Sequence, residues 1–189
     1  MHVEPQSPRF TLETTADGHR AVIPARHNWF VVLFLCAWLV GWVFGEVTVI
    51  YQLLSPSEKT PWLFLLAWLA GWTLGGAFAL GAVLWQLAGR EVVSVSPATL
   101  LHRVEAFGLG WSRSYKASEV KNFRATEYST NPFTNQAAWF PPLTGSGFGP
   151  VAFDYGARTL RLGAALEEAE AKLLVQKLAG SLLRRLSEV

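Results

Sequence analysis

Glu46 is the one residue charged at neutral pH in two long apolar runs, residues 29–53 and 61–89. A carboxylate inside such a run is costly to bury, and it points to proton or ion passage, to pairing with a cation on another subunit, or to a protonated side chain. The alternative is structural: the side chain extends towards the nearer membrane surface, or it stays neutral and hydrogen-bonded near Thr48 or Thr73.

Aromatic residues form a second candidate site in the segment 129–149, which is rich in Pro, Gly and Asn. Phe133, Trp139 and Phe140 stand there among turn-forming residues. Loops of this length without regular structure are uncommon and are often functional. The pattern predicts a loop that dips into a membrane or binds a partner, or else one that packs over the open end of a small domain.

Motifs for catalysis and metal binding are not found in the sequence. The four histidines have no metal-ligand spacing, and Cys36 is the single cysteine. The sequence contains neither a Gly-rich phosphate loop between a strand and a helix nor a nucleophile motif of the common hydrolases. We therefore expect no enzyme, no cofactor and no metal site.

Basic residues alternate along the predicted strands of the C-terminal half. This pattern indicates a solvated outer face, or a surface that contacts anionic lipid head groups or a protein. The net charge of +2 is small and the basic residues are not clustered, so nucleic acid is not an expected partner. The residues of this stripe are Arg103, Arg113, Lys116, Lys121 and Arg124.

Both apolar runs exceed the roughly 20 residues that cross a hydrocarbon core about 30 Å thick. A buried helix of a soluble protein is the alternative for one such run, but two runs leave too little protein to cover them. We predict a transmembrane α-helical hairpin over residues 28–89, with spans at 29–53 and 62–88. A polar segment precedes the first run, so that run is not expected to be a cleaved signal peptide.

Flanking charges predict the orientation of the hairpin. Several arginines lie before the first span and after the second, whereas Lys59 is the only basic residue of the loop 55–61. Because basic residues favour the cytoplasmic side, both termini are expected in the cytoplasm.

A repeated pattern, A-W-L-x-G-W-x-x-G-x, predicts how the two helices pack. It places small residues four apart on one face of each helix, which allows close approach in lipid. The pairs Ala37–Ala79, Gly41–Gly75 and Gly45–Gly71 have a constant sum of residue numbers, as residues at equal depth in an antiparallel hairpin must. We predict that the two ladders meet within the hairpin. The alternative is that one ladder faces a second copy or another membrane protein. The ladder residues are Ala37, Gly41, Gly45, Gly71, Gly75 and Ala79.

Outside the hairpin the apolar period is typical of strands. Residues 1–27 contain a predicted β-hairpin that is expected to join the soluble sheet, and about six short strands are expected within residues 90–189. An apolar stripe at helical spacing predicts an amphipathic helix at 166–187. The expected fold class is an α+β roll in which this helix packs on the sheet; the alternative for the stripe is a membrane-surface helix.

The paired runs Ala37–Trp42 and Ala67–Trp72, followed by Gly89-Arg90-Glu91-Val92, resemble a group of small uncharacterised bacterial two-helix membrane proteins. The soluble part, which ends in Phe153-Asp154-Tyr155-Gly156 and a terminal helix, resembles the bacterial pleckstrin-homology-like (PH-like) domains attached to membrane spans. The resemblance implies a β-roll of seven strands closed by a C-terminal helix, in a bacterial cytoplasmic (inner) membrane protein. The resemblance does not imply an activity or a set of functional residues.

These features favour a membrane-anchored, non-enzymatic adaptor or scaffold. Its PH-like module is expected to bind a protein partner or its own copies on the cytosolic side of the lipid bilayer. The alternative is an oligomeric transport or permeation component in which Glu46 lies at the mouth of the path.

Overall fold

A computed structural model describes residues 8–16, 18–55, 61–127 and 149–183 of the chain. The predicted aromatic loop, including Phe133, Trp139 and Phe140, lies outside the described residues. The elements in chain order are β1 (Thr11–Thr15), β2 (Gly18–Pro24), α1 (Trp29–Leu54), α2 (Trp62–Ala88), β3 (Gly89–Val95), β4 (Thr99–Ala106), β5 (Leu109–Lys116), β6 (Val120–Ala125), β7 (Val151–Tyr155), β8 (Arg158–Leu162) and α3 (Glu168–Leu183).

Both predicted spans are helices whose ends lie within one residue of the expected ones. The helices are long and apolar enough to cross a membrane, and only 6% and 17% of the residues in their most apolar windows are buried. A core helix of a soluble protein would be covered by other elements, and these two are not. At the start of α1, the Asn28 side chain accepts hydrogen bonds from the backbone N–H groups of Phe30 and Val31, which caps the helix.

The helical hairpin is inserted between two neighbouring strands of one sheet. That sheet is antiparallel and has the order β1-β2-β3-β4-β5. The last residue of β2, Pro24, is opposite Arg90 of β3, so the chain leaves and re-enters the sheet at the same end of two neighbouring strands. The N-terminal hairpin thus joins the sheet that follows the helices, and both ends of the helical hairpin lie on the same side.

A second, three-stranded sheet and α3 complete the β-rich domain, with the order β6-β7-β8. In the part of the chain that the structure describes, six strands follow the helical hairpin, and the sequence predicts about six. The apolar stripe of α3 is buried through Ala171, Leu174 and Leu178, which lie in one core with Leu100 and Phe153 of the two sheets. The stripe therefore packs against the sheets, and the alternative of a membrane-surface helix is wrong.

The junction between helices and sheet has no flexible linker. Helix α2 ends at Ala88 and β3 begins at Gly89, where a Cβ would lie 2.3 Å from the Trp85 carbonyl oxygen. The Ala25 N–H donates to the Gly89 carbonyl at 2.9 Å, and the Asn28 N–H donates to the Gln86 side-chain oxygen at 3.0 Å. These contacts hold both helices at a fixed position relative to the sheet.

Candidate functional site in the helical hairpin

Two tryptophans close the seam between α1 and α2. The Trp42 indole N–H donates to the Trp72 carbonyl at 2.9 Å, and the Trp72 indole N–H donates to the Trp42 carbonyl at 3.2 Å. Each ring also covers a glycine of the opposite helix. A Cβ on Gly76 would lie 2.1 Å from the Trp42 ring, and a Cβ on Gly45 would lie 3.3 Å from the Trp72 ring.

The predicted contact between the two small-residue ladders is wrong. A Cβ added at Gly41, Gly71 or Gly75 would meet nothing within 4 Å, and Ala37 is also exposed. Of the six ladder residues, Gly45 packs against the opposite helix and Ala79 is buried. The physical reason is that two bulky indoles occupy the seam. There each indole N–H donates to a backbone carbonyl of the opposite helix, whereas apolar surroundings would leave it without an acceptor.

The outward-turned ladder of α2 forms the floor of an apolar groove of about 270 Å³. Two of the wall rings, Trp68 and Trp72, are stacked with centroids 5.4 Å apart, and Trp38 lies 5.9 Å from Trp72. The walls therefore hold one another in place. The groove is lined by Trp38, Ala67, Trp68, Gly71, Trp72 and Gly75. This lining suits a helix backbone or an acyl chain and offers no acid, base or nucleophile.

Glu46 is hydrogen-bonded across the hairpin. The Thr73 hydroxyl donates to its Oε1 at 2.5 Å, whereas the Thr48 hydroxyl donates to the Phe44 carbonyl of its own helix. The other oxygen, Oε2, is buried and has no hydrogen-bond partner among the described residues. The contact with Thr73 fits the structural alternative for Glu46, in which the side chain links the two helices.

A buried polar pair lies in the five-stranded sheet, and its carboxylate also contacts the segment after β8. Nε2 of His102 in β4 lies 3.1 Å from Oε1 of Glu91 in β3, and both side chains are almost fully buried. The backbone N–H of Gly163, after β8, donates to the Oε2 of Glu91 at 2.9 Å. Sequence reasoning missed this pair, although Glu91 lies on the same strand face as Val93.

Most of the predicted basic stripe is already engaged within the chain. Arg103, Lys116 and Arg124 form ion pairs with acidic neighbours, and Arg113 lies over the Trp111 ring. These contacts favour a solvated outer face over a free anion-binding surface.

Glu105 and Asp154, two of the three acidic partners of this stripe, have lowered pKa values. Burial by itself raises the pKa of Glu105, but hydrogen bonds and charges from Arg90 and Arg103 outweigh it, so the pKa is lowered. Hydrogen bonds from Asn122, Thr159 and Arg124 lower the pKa of Asp154 to about 2. Both carboxylates are therefore charged at neutral pH and hold the strands together.

Within the described residues, no group of three or more His, Cys, Asp or Glu side chains could hold a metal ion. The partner-binding role predicted for Phe133, Trp139 and Phe140 stays a prediction, since these residues fall in the segment that is not described. Comparison of the chain with protein families, curated proteins and solved structures finds no match.

Proposed function

We propose that this chain is an integral membrane adaptor that has no enzymatic activity and self-associates through the tryptophan-walled groove of α2. The helical hairpin anchors the chain in a bacterial inner membrane. The β-rich domain lies on the cytoplasmic side and is carried by the assembly as a binding module.

The exposure of the helices supports the membrane anchor. Large apolar side chains such as Phe44 and Leu74 are about 71% exposed, which in water would form an unusually large apolar surface. The pairing of β2 with β3 requires both ends of the hairpin on one side of the membrane. The arginines on these flanks make the cytoplasmic side the favoured one.

The architecture of the β-rich domain supports a PH-like module. Two antiparallel sheets enclose one core, and a C-terminal helix packs against it. The domain departs from the family pattern in strand number, since its described residues form eight strands instead of seven. The N-terminal hairpin supplies two of these, and β1 is the edge strand of the larger sheet.

The observation that carries the proposal is the open floor of the groove. Gly71 and Gly75 leave the α2 backbone uncovered, although small residues at this spacing let a second helix approach closely in lipid. On α1, Ala37 and Gly41 are exposed in the same way. One copy therefore presents two small-residue faces, so a second copy is sufficient to cover the groove.

Filling the groove is expected to abolish self-association. A Gly71→Leu variant places a branched side chain in the groove, and because its Cβ meets nothing within 4 Å the fold is expected to be retained. The matched control is Gly81→Leu on the same helix, which also meets nothing within 4 Å and does not line the groove. Energy transfer between differently labelled copies in liposomes measures the association.

We expect the energy transfer to be lost in Gly71→Leu and kept in Gly81→Leu. Equal transfer in both variants would exclude the groove as the contact. A wild-type chain that shows no transfer at any protein-to-lipid ratio would exclude self-association itself.

A permeation pathway is the second candidate function. The observation that favours it is the buried Oε2 of Glu46, which has no hydrogen-bond partner in the described part of the chain. Under this alternative, proton or cation flux in proteoliposomes is present in the wild-type chain and disappears in Glu46→Gln. Under the adaptor proposal, Glu46→Gln changes neither flux nor expression, because the amide oxygen still accepts the Thr73 hydrogen bond. Flux that depends on Glu46 would therefore contradict the adaptor proposal and support a transport function.

A further inference from the structure

The turn between β4 and β5 exposes two large apolar side chains. Phe107 is 66% exposed and Leu109 is 81% exposed. Elsewhere in the described chain, exposed side chains of this kind occur only in α1 and α2. The pair therefore stands out from the rest of the described β-rich domain, whose other large apolar residues are buried or partly buried.

The backbone of this turn is unfavourable for the residue that it carries. Phe107 has φ = 52° and Gly108 has φ = 79°, so both central residues of the two-residue turn are left-handed. Such turns strongly prefer Asn-Gly, because a bulky side chain at the first position is strained. A strained residue with an exposed aromatic ring indicates that the ring has a function at this position.

The sheet register places the turn beside the last turn of α2. Ala106, the residue before the turn, is opposite Gly89, which directly follows α2. Trp85 of α2 packs with Val104, and the partly buried Ala106 and Trp111 join this cluster.

The neighbouring part of α2 is itself apolar and exposed. Leu84 and Leu87 are 40% and 43% exposed at the same end of the helix. Because the junction has no linker, the depth of the β4–β5 turn is fixed by the depth of α2.

We infer that Phe107 and Leu109 insert into the bilayer that α1 and α2 cross, at the boundary between head groups and acyl chains. The occupant of this apolar surface is the lipid, because the turn lies level with the end of α2, where Leu84 and Leu87 are also exposed. The inference rests on the membrane anchoring proposed above. Its consequence is a third point of contact with the membrane, which limits how far the helices and the five-stranded sheet tilt together relative to the bilayer.

Site-specific fluorescence tests the inference on the full chain in phosphatidylcholine–phosphatidylglycerol nanodiscs, where aqueous reagents reach both faces. In a Cys36→Ser background, an environment-sensitive dye is attached at Leu109→Cys. The same dye is attached at Ala98→Cys, at the opposite end of the sheet, and at Val40→Cys, on the exposed face of α1. Iodide quenches from water, and nitroxide-labelled lipids quench from the bilayer.

We expect the dye at 109 to behave like that at 40, with strong lipid quenching and iodide quenching several-fold weaker than at 98. In the same chain with Phe107→Asn, which suits the turn, iodide quenching at 109 should rise several-fold. Iodide access at 109 equal to that at 98, with 40 still shielded, would overturn the inference and leave the anchor intact. Shielding from both quenchers at 109 would also overturn it, since a protein would then cover the turn. Free iodide access at all three positions would overturn the anchor itself.

Discussion

Replacing Gly76 by leucine is expected to separate the two helices, whereas the same change at neighbouring Gly75 leaves them packed. A Cβ at Gly76 would lie 2.1 Å from the Trp42 ring, so the indole must leave the seam and lose its hydrogen bond to the Trp72 carbonyl. Overpacking of this kind costs about 1–3 kcal/mol. The lost interhelical hydrogen bond adds about 0.6 kcal/mol, the average found in membranes.

The measurement is the distance between spin labels on α1 and α2, made in lipid at a dilution where copies do not associate. Gly75→Leu is the matched control, because Gly75 lines the groove and a Cβ there meets nothing within 4 Å. A broad, long distance distribution is expected for Gly76→Leu, and a distribution like that of the wild type is expected for Gly75→Leu. If both variants kept the short distance, the tryptophan seam would not be what holds the hairpin closed.

These adjacent glycines also show what the sequence could and could not predict about the hairpin. The two helices and their ends were predictable, because apolar runs of this length are a local property of the chain. The rotation of each helix about its own axis was not predictable from the small-residue spacing. Gly75 and Gly76 differ by one position, and the choice between them depends on where the Trp42 and Trp72 rings fit and which carbonyls they reach.

The same contrast holds in the β-rich domain. The period-two pattern predicted the strands on either side of the helices. In β4 this alternation puts His102 on the same face as Leu100 and Val104. It did not predict the partner of His102, because Glu91 pairs through the fold with two distant elements, β4 and the segment after β8. Glu91 follows the end of the predicted second span closely, and a charged residue at such a position is typical of the membrane surface. In the structure Glu91 is instead buried, on the side of the sheet that faces the core.

Replacing Glu91 by leucine is expected to destabilise the β-rich domain more than any exposed substitution. The change leaves the His102 imidazole and the Gly163 N–H buried without their hydrogen-bond partner. Removing one partner of a buried ionised pair costs about 3–5 kcal/mol. Each neutral group left unpaired costs about 1–3 kcal/mol, so the expected loss is similar if the pair is uncharged.

A double-mutant cycle separates the pair from a general effect of the substitution. In Glu91→Leu/His102→Leu both polar side chains are gone, so the loss of stability should be smaller than the sum of the two single losses, because well-packed apolar residues replace a buried pair at little cost. Glu13→Leu on the exposed edge strand β1 is the matched control and should change stability little. Amide hydrogen exchange of the full chain in nanodiscs measures these differences, and the Gly163 amide should lose protection first in Glu91→Leu. Strictly additive single losses would show that Glu91 and His102 stabilise the fold independently, and unchanged exchange at Gly163 would show that the carboxylate does not hold the segment after β8 against the sheet.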